Sequence, residues 1–396
     1  MSLPNVNITL ANGQLGAVLQ TADGVVGMVL TGVTEGSITA GVPFLSTSLA
    51  DAQNQGLTST NNPFAYREVK EFYDEAAIGA QLYLMLVPDT MKVNQVADKT
   101  NTNGAIKLLN FAAGKIRVLG IMTDDTQVYP LGSGLVTTNG INADCYTAIA
   151  NMQLLANQFF AAQTPLRAVV GGTSYTGSAT ALTTQTSGSD NRVSCLIGDT
   201  VSSSVSDCGA ALGLLLGRIA SIPVQRKISR VKNGALSNTS AYIGSVAADQ
   251  YTDTELLFDK GFITFRTFPG KSGFFFSGDA TCTATTDDYA SLARGRVIDK
   301  VQILTYAVFV DEVDNEVLVN ADGTLNAGYV KSLEQTISNQ VNLIMTANNE
   351  ISGVQAFIDP AQNVLSTNQI NVVLKITPVG YSSDIEIQLG FDNPAA

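Results

Sequence analysis

QLYLMLV, residues 81–87, carries six apolar side chains in seven and stops at Pro88. An apolar run of that length, ended by a proline, reads as a strand covered on both faces. Three further runs have the same character. They are KIRVLGIM at 115–122, LRAVV at 166–170 and RVSCLI at 192–197. The stretches between them have helical spacing. Asn103–Ala113 is one helix. Ala143–Ala162 is a longer one, with Ile149, Met152, Leu155, Phe159 and Phe160 near one face. Ser206–Ile219 is a third. Strands alternating with helices predict an α/β domain built on a largely buried parallel sheet.

Working outward, residues 42–245 form this α/β region, with a Ser-, Thr- and Gly-rich insertion at Ser174–Asn191. Gln225–Ser240 is a second polar segment and holds Arg226, Lys227, Arg230 and Lys232, the densest basic cluster of the chain. From about 246 the character shifts to α+β. Leu256–Phe268 and Gly273–Phe276 read as aromatic strands around the turn Pro269-Gly270-Lys271. A long helix is expected from Asp288 to about Val310, with Asp287-Asp288 as its cap. A second is expected at Ala327–Ala347, with Val330, Leu333, Ile337, Val341 and Ile344 on one face. Ile370–Ile376 is then a strand.

Both ends of the chain alternate like half-buried strands. Val6, Ile8 and Leu10 do so near the start; Ile385, Ile387, Leu389 and Phe391 do so near the finish. Gly13, Gly16, Gly24 and Gly27 interrupt the stretch after the first of these, and a Val25–Leu30 strand follows. A lone strand cannot satisfy its own backbone groups. It pairs within the subunit or is donated to a neighbour. The expected division is therefore an N-terminal arm with linker strands at 1–41, the α/β part at 42–245, an α+β domain at 246–380 and a C-terminal strand arm at 381–396.

Composition narrows the function. The chain has 396 residues, of which only 14% are charged, and a net charge of −12. Charge that sparse suits a surface covered by other copies, and equally a Gly-, Ala-, Ser- and Thr-rich globular protein. An acidic balance argues against direct binding to nucleic acid, whose phosphates demand a basic footprint, or to an anionic membrane. No secretory leader is visible, and the longest apolar stretches fall short of a bilayer span. Cys145, Cys195, Cys208 and Cys282 are scattered, without zinc spacing, and are expected as free thiols. Histidine is absent altogether. That removes Ser-His-Asp and Cys-His nucleophilic systems, histidine bases and most transition-metal sites.

Carboxylate chemistry remains open. The pairs Asp124-Asp125 and Asp287-Asp288 are better explained as caps or turns than as a site. Asp311, Glu312, Asp314 and Glu316 lack the spacing of a calcium loop. Tyr66, Phe72 and Tyr73 around Glu68 and Glu71 look like a helix face against a core. Gly132-Ser133-Gly134 and Gly171-Gly172 form no phosphate-binding fingerprint. No cofactor, metal or catalytic residue is expected, and the chain reads as a non-enzyme.

The order of these segments resembles the contractile tail sheath family of phages and related injection machines, and most nearly the sheath-like group of Mu-like phages and prophages. Three stretches carry the resemblance: NVNITLANGQLGAVLQTADGVVGMVLTG (Asn5–Gly32), SLARGRVIDKVQILTYAVFV (Ser291–Val310) and INVVLKITPVGYSSDIEIQLGFDNP (Ile370–Pro394). The resemblance implies a multi-domain sheath-like architecture, with an outer α/β domain and an α+β domain facing an inner tube. It implies that both terminal strands are donated to neighbouring copies, with Gly13, Gly16 and Gly380 as hinges. Helical polymerisation and contraction around the tube would follow. The partners would be other copies of the chain, the tube protein, and baseplate and terminator proteins. The setting would be a tail assembled in a host cytoplasm, a bacterial cytoplasm or a released injection particle. Arg294, Arg296 and Lys300 are candidates for a tube-facing helix surface; internal salt bridges are the other reading. Another self-assembling virion protein and a carboxylate-dependent cytoplasmic α/β enzyme remain as alternative functions.

Overall fold

The computed structural model describes residues 22–203 and 209–391. The chain divides into two compact units at Lys300/Val301.

The first unit is built on a seven-stranded sheet. Its strands are β1 (Val26–Thr31), β2 (Phe44–Ser46), β3 (Leu82–Val87), β4 (Val118–Met122), β5 (Arg167–Gly171), β6 (Val193–Leu196) and β7 (Phe262–Ile263). They lie in the order β7-β6-β5-β4-β1-β3-β2, all parallel except the edge strand β2. Every residue of β1, β3, β4, β5 and β6 is buried. Helices cover both faces of such a sheet, so its strands are apolar throughout rather than alternating. The expected buried parallel sheet is therefore present.

Two differences from the sequence reading matter. The segment assigned to an N-terminal arm at 1–41 contains β1, which sits between β3 and β4 in the middle of the sheet. The arm proper, with Val6, Ile8, Leu10, Gly13 and Gly16, lies outside the described residues. The boundary placed at 245/246 also moves. Phe262 pairs with Cys195 and extends the main sheet, so the first unit runs on to Lys300. A short aromatic strand has the same pattern whichever sheet it joins, which is why the sequence misplaced it.

The expected Leu256–Phe268 strand is broken. Thr254–Asp259 is a helical turn, followed by the two-residue strands Phe262–Ile263 and Phe265–Arg266. The second of these pairs antiparallel with Phe275–Phe276, across the expected turn.

Helices α1 (Pro63–Glu75), α2 (Ala143–Ala161) and α3 (Leu212–Ser221) pack in this unit. α1 and α3 approach at two glycines. A Cβ on Gly213 would stand 1.8 Å from the Glu68 carbonyl oxygen, and one on Gly217 would stand 2.6 Å from that of Phe72. α3 has no side-chain cap of its own. The fully buried Glu68 supplies one instead, accepting the Gly213 N–H at 2.7 Å. Tyr66, Phe72 and Tyr73 pack into the core beside it, as the spacing of that helix indicated.

Helix α4 (Leu292–Phe309) crosses the division between the units. It starts later than expected, and Asp279 closes its first turn, not Asp287-Asp288. Asp279 takes the Leu292 N–H on its carbonyl and the Ser291 Oγ–H and Ala293 N–H on its carboxylate. Asp287 instead accepts the Tyr289 N–H.

In the second unit, α5 (Ala327–Val341) is capped by Asn326, which accepts from Gly328 and Tyr329. Two strands follow, β8 (Ile351–Ile358) and β9 (Val372–Pro378). They pair antiparallel from Ile351↔Pro378 to Ile358↔Val372, with an irregularity after Ile351. β8 was not visible in the sequence. A small core of Leu325, Val330, Leu333 and Ile358 joins α5 to the hairpin.

Candidate assembly surfaces

The helix thought to face a tube is largely committed inward over its first half. Asp299 lies between two buried arginines. Arg167 reaches it twice, Nε to Oδ2 at 2.7 Å and Nη2 to Oδ1 at 2.9 Å, and Arg192 Nη1 reaches Oδ1 at 3.0 Å. Arg167 Nη2 also donates to the Gly295 carbonyl, and a Cβ on Gly295 would stand 2.5 Å from the Arg167 guanidinium carbon. The glycine of SLARGR therefore makes room for an arginine 128 residues earlier.

Arg296 is 4% exposed and donates to the carbonyls of Ile219 and Ile222, at the C-terminal end of α3, where a cation is favoured. Lys300 Nζ pairs with Asp23 at 2.6 Å. Arg296 is thus hydrogen-bonded and Lys300 ion-paired within the first unit; of the three candidates only Arg294 is exposed. The reason is geometric. Positions 296 and 300 share a face one turn apart, and that face packs on the α/β core. The cluster of Asp23, Arg117, Arg296, Asp299 and Lys300 encloses only about 10 Å³, room for no more than one water.

Asp124, Asp125 and the carboxylates around α1 are also employed structurally. Asp124 accepts from the Thr126 N–H, and Asp125 accepts from Asn142 and Ser174. Glu68 and Asp199 are buried, with the half-buried Arg67 and Glu71 of α1 beside them. Burial pushes the Glu71 carboxyl up to about 7, with the Asp199 charge adding to the effect and Thr200 and Arg67 opposing it. Cys145, Cys195 and Cys282 are buried free thiols; Cys208 lies outside the described residues. Among the described residues, no group of three or more histidine, cysteine or acidic side chains could hold a metal ion, and no helix is long and apolar enough to cross a membrane.

The second unit carries the open surfaces. Among the described residues, β8 and β9 form a sheet of two strands only, so each has one unpaired edge. Such a pair is marginal alone, and its edges are templates for another strand. A groove of about 670 Å³ runs beside β8. Four consecutive residues, Val354 to Phe357, line it, so it follows the strand's edge and not one alternating face. Lys331, Gln335 and Ser338, spaced along one flank of α5, form the opposite wall.

The C-terminal arm has the complementary deficiency. Residues 379–391 form no strand, and Ile385, Ile387, Leu389 and Phe391 are 75%, 74%, 94% and 108% exposed. The alternation seen in the sequence meets no partner strand among the described residues. Gly380 precedes the arm in open space.

Models of two domains of one family match nearly the whole chain: DUF2586, N-terminal domain, over residues 3–280, and DUF2586, C-terminal domain, over residues 288–396. No curated protein matches the sequence. Several solved structures share its fold. The anti-feeding prophage helical sheath in its contracted state aligns with a TM-score of 0.62 at 15% identity, over 99% of this chain and 100% of that one. The sheath complex of the extracellular contractile injection system PVC, also contracted, gives 0.62 at 16% identity, over 100% and 99%. A sheath tail protein from Desulfitobacterium hafniense gives 0.51 at 11%, over 95% and 100%. The fold is therefore that of contractile sheath proteins, and it combines α/β and α+β parts.

Proposed function

Because the chain belongs to the DUF2586 family and has the sheath fold, we propose that it is the structural subunit of a contractile sheath, which polymerises helically around an inner tube and drives that tube through a target envelope by contracting. One observation carries the reading: among the described residues, an open two-stranded sheet and an exposed, alternating apolar arm coexist. Each supplies what the other lacks. Burying one of the arm's large apolar side chains is worth roughly 1.5–3 kcal/mol. Fixing its backbone costs about 1–2 kcal/mol per residue. A floppy arm therefore gains little by apolar contact alone, and main-chain pairing with the open edge supplies the rest.

In this reading the N-terminal strand at Val6, Ile8 and Leu10 is donated as well. Gly13, Gly16 and Gly380 bend while the linked sheets persist, so subunits rotate without disconnecting. The α/β region at 42–245 is carried outside, and the α+β region at 246–380, which includes α4, faces the tube. Arg294 is the remaining exposed candidate on α4 for a tube contact. The partners are further copies, the tube protein, baseplate proteins and a terminator, in a phage tail or an injection particle. Contraction is a change of packing and requires no catalysis, cofactor, nucleic acid or membrane contact by this chain.

The test is negative-stain microscopy of the purified chain with and without residues 381–396. Hollow helical tubes from the full chain, and none from the shortened one, are expected. Tubes from both would overturn strand donation by this arm; a full chain that stays monomeric at high concentration would overturn the sheath reading.

A further inference from the structure

The densest basic cluster of the chain has no task in the reading above. Residues 208–248 and 260–278 hold eight basic side chains and no acidic one, in a chain whose net charge is −12. Three of them are engaged inside the first unit. Arg218 pairs with Glu75, Lys227 pairs with Asp279, and Lys260 donates to the carbonyls of Thr180 and Leu182. Arg226, Arg230, Lys232, Arg266 and Lys271 have no ion pair among the described residues.

The fold brings these five to one area. The Leu236 N–H donates to the Phe274 carbonyl at 2.9 Å, and a Cβ on Gly273 would stand 2.5 Å from that of Ala235. Lys232 and Lys271 therefore approach one junction from two segments. Arg266 sits opposite Phe275 in the adjoining pair of strands, with its guanidinium 4.2 Å from the centre of the Phe268 ring. Burial, and then the Arg230 charge close by, lower the Arg226 guanidinium from its ordinary range. Arg230, Lys232, Arg266 and Lys271 are all exposed. Like charges held together repel, and an acidic partner relieves that.

The chain carries a matching feature. Residues 301–396 hold eleven acidic side chains and only two basic ones. Four of the acids, Asp311, Glu312, Asp314 and Glu316, fall in one short segment after α4. Glu312 keeps that segment in shape. Its carboxylate accepts from Asn315 Nδ2 at 2.8 Å and from the Tyr329 hydroxyl at 3.1 Å. Asp311, Asp314 and Glu316 are exposed and have no ion pair among the described residues. Val313 and Leu318 stand among them, 70% and 81% exposed. Apolar side chains ringed by charge have the composition of a contact surface.

We infer that the basic surface around Lys232 and Lys271 receives the acidic segment 311–316 of a second copy. The inference rests on the reading of the chain as a self-assembling subunit, and deepens it by naming a contact that does not involve the arms. The contact joins different surfaces of two copies, so it is head-to-tail, as a growing polymer requires. Because Glu312 already fixes the segment, docking orders little further chain. One exposed ion pair contributes little. Several together, repeated in every copy, steer subunits into one register and disfavour docking of basic on basic surfaces.

The test uses the full-length chain and reads the critical concentration for polymerisation by pelleting. Circular dichroism and the melting temperature report on folding. Lys232→Glu with Lys271→Glu, and separately Asp311→Lys with Glu316→Lys, should each raise the critical concentration by about tenfold or more at low salt, with folding unchanged. Combining all four should return it to within about threefold of the original value. A zero-length carbodiimide gives an independent measurement on the unaltered chain, since it joins a lysine amine to a carboxylate as an amide with loss of water. In a mixture of isotope-labelled and unlabelled copies, it should link Lys232 or Lys271 of one copy to Asp311, Asp314 or Glu316 of another.

Polymerisation that ignores both reversals, with no such link, overturns the contact and leaves the sheath reading standing. Links only within one copy, or from the segment to other lysines, overturn it as well. So does a loss of polymerisation that the opposite reversal fails to rescue, because the two surfaces would then have separate partners. A full chain that stays monomeric at high concentration removes the sheath reading and this contact together.

Discussion

Gly213 and Glu68 touch twice: the glycine N–H donates to the Glu68 carboxylate at 2.7 Å, and its missing side chain would lie 1.8 Å from the Glu68 carbonyl. The closeness of α1 and α3 depends on that pair, because backbone cannot move aside as a flexible side chain can. Gly213→Ala should therefore destabilise the chain by about 1–3 kcal/mol or more, the range of overpacked cores. Urea denaturation checks this. An unchanged midpoint would mean that the helices separate freely and that the contact is incidental.

Asp299 is the carboxylate that Arg167 and Arg192 share in a buried site. Asp299→Ala leaves two buried guanidinium groups without a carboxylate and should cost about 3–5 kcal/mol. Asp299→Asn keeps the hydrogen-bonding shape but not the charge, and should cost less. The ordering of the two urea midpoints separates a charge effect from a packing effect.

Glu71 gives stability a pH dependence of defined sign. Its pKa rises on folding from an ordinary 4.5 to about 7, chiefly through burial and then through Asp199. Between those values the folded chain holds a proton that the unfolded chain has released. The contribution is therefore full below about 4.5 and is lost as pH rises through 7. The melting temperature should fall between pH 5 and pH 7.5. Glu71→Gln should flatten that slope. A slope unchanged by the substitution would place its origin elsewhere.

Leu389 is 94% exposed and touches little in the single chain. Leu389→Asp should leave the monomer's stability within about 0.5 kcal/mol, as surface changes do. Under the proposed role it should nonetheless prevent tube formation. Calorimetry and microscopy on the same preparation check both halves. A destabilised monomer would show that the arm packs on its own subunit.

The sheet was legible because buried parallel strands need continuous apolar runs, and Leu82–Val87 and Val118–Met122 are such runs. Partnership was harder to read. Val26–Thr31 and Phe262–Ile263 looked like linker and satellite strands, yet both joined the main sheet, through contacts across tens of residues. Ile351–Ile358 escaped notice because Ser352, Gly353 and Gln355 interrupt its apolar residues, although Val354, Ala356 and Ile358 do alternate. Arg296 and Lys300 carry charge in a helix, and spacing alone does not say which flank packs. The segments of Lys232 and Lys271 are far apart in sequence, and only the fold brings them together. The terminal alternation from Ile385 to Phe391 was plain from the start; that nothing among the described residues answers it was not.

One consequence follows from the open β8 edge. A copy that fills a neighbour's edge with its own arm still presents an empty edge of the same kind. The growing end is chemically identical after every addition, so association of this head-to-tail sort has no internal stopping point. Under the proposed strand donation, the chain specifies how copies join but not how many do so. Length must be imposed from outside it, by a template that runs out or by a cap that occupies the last vacancy.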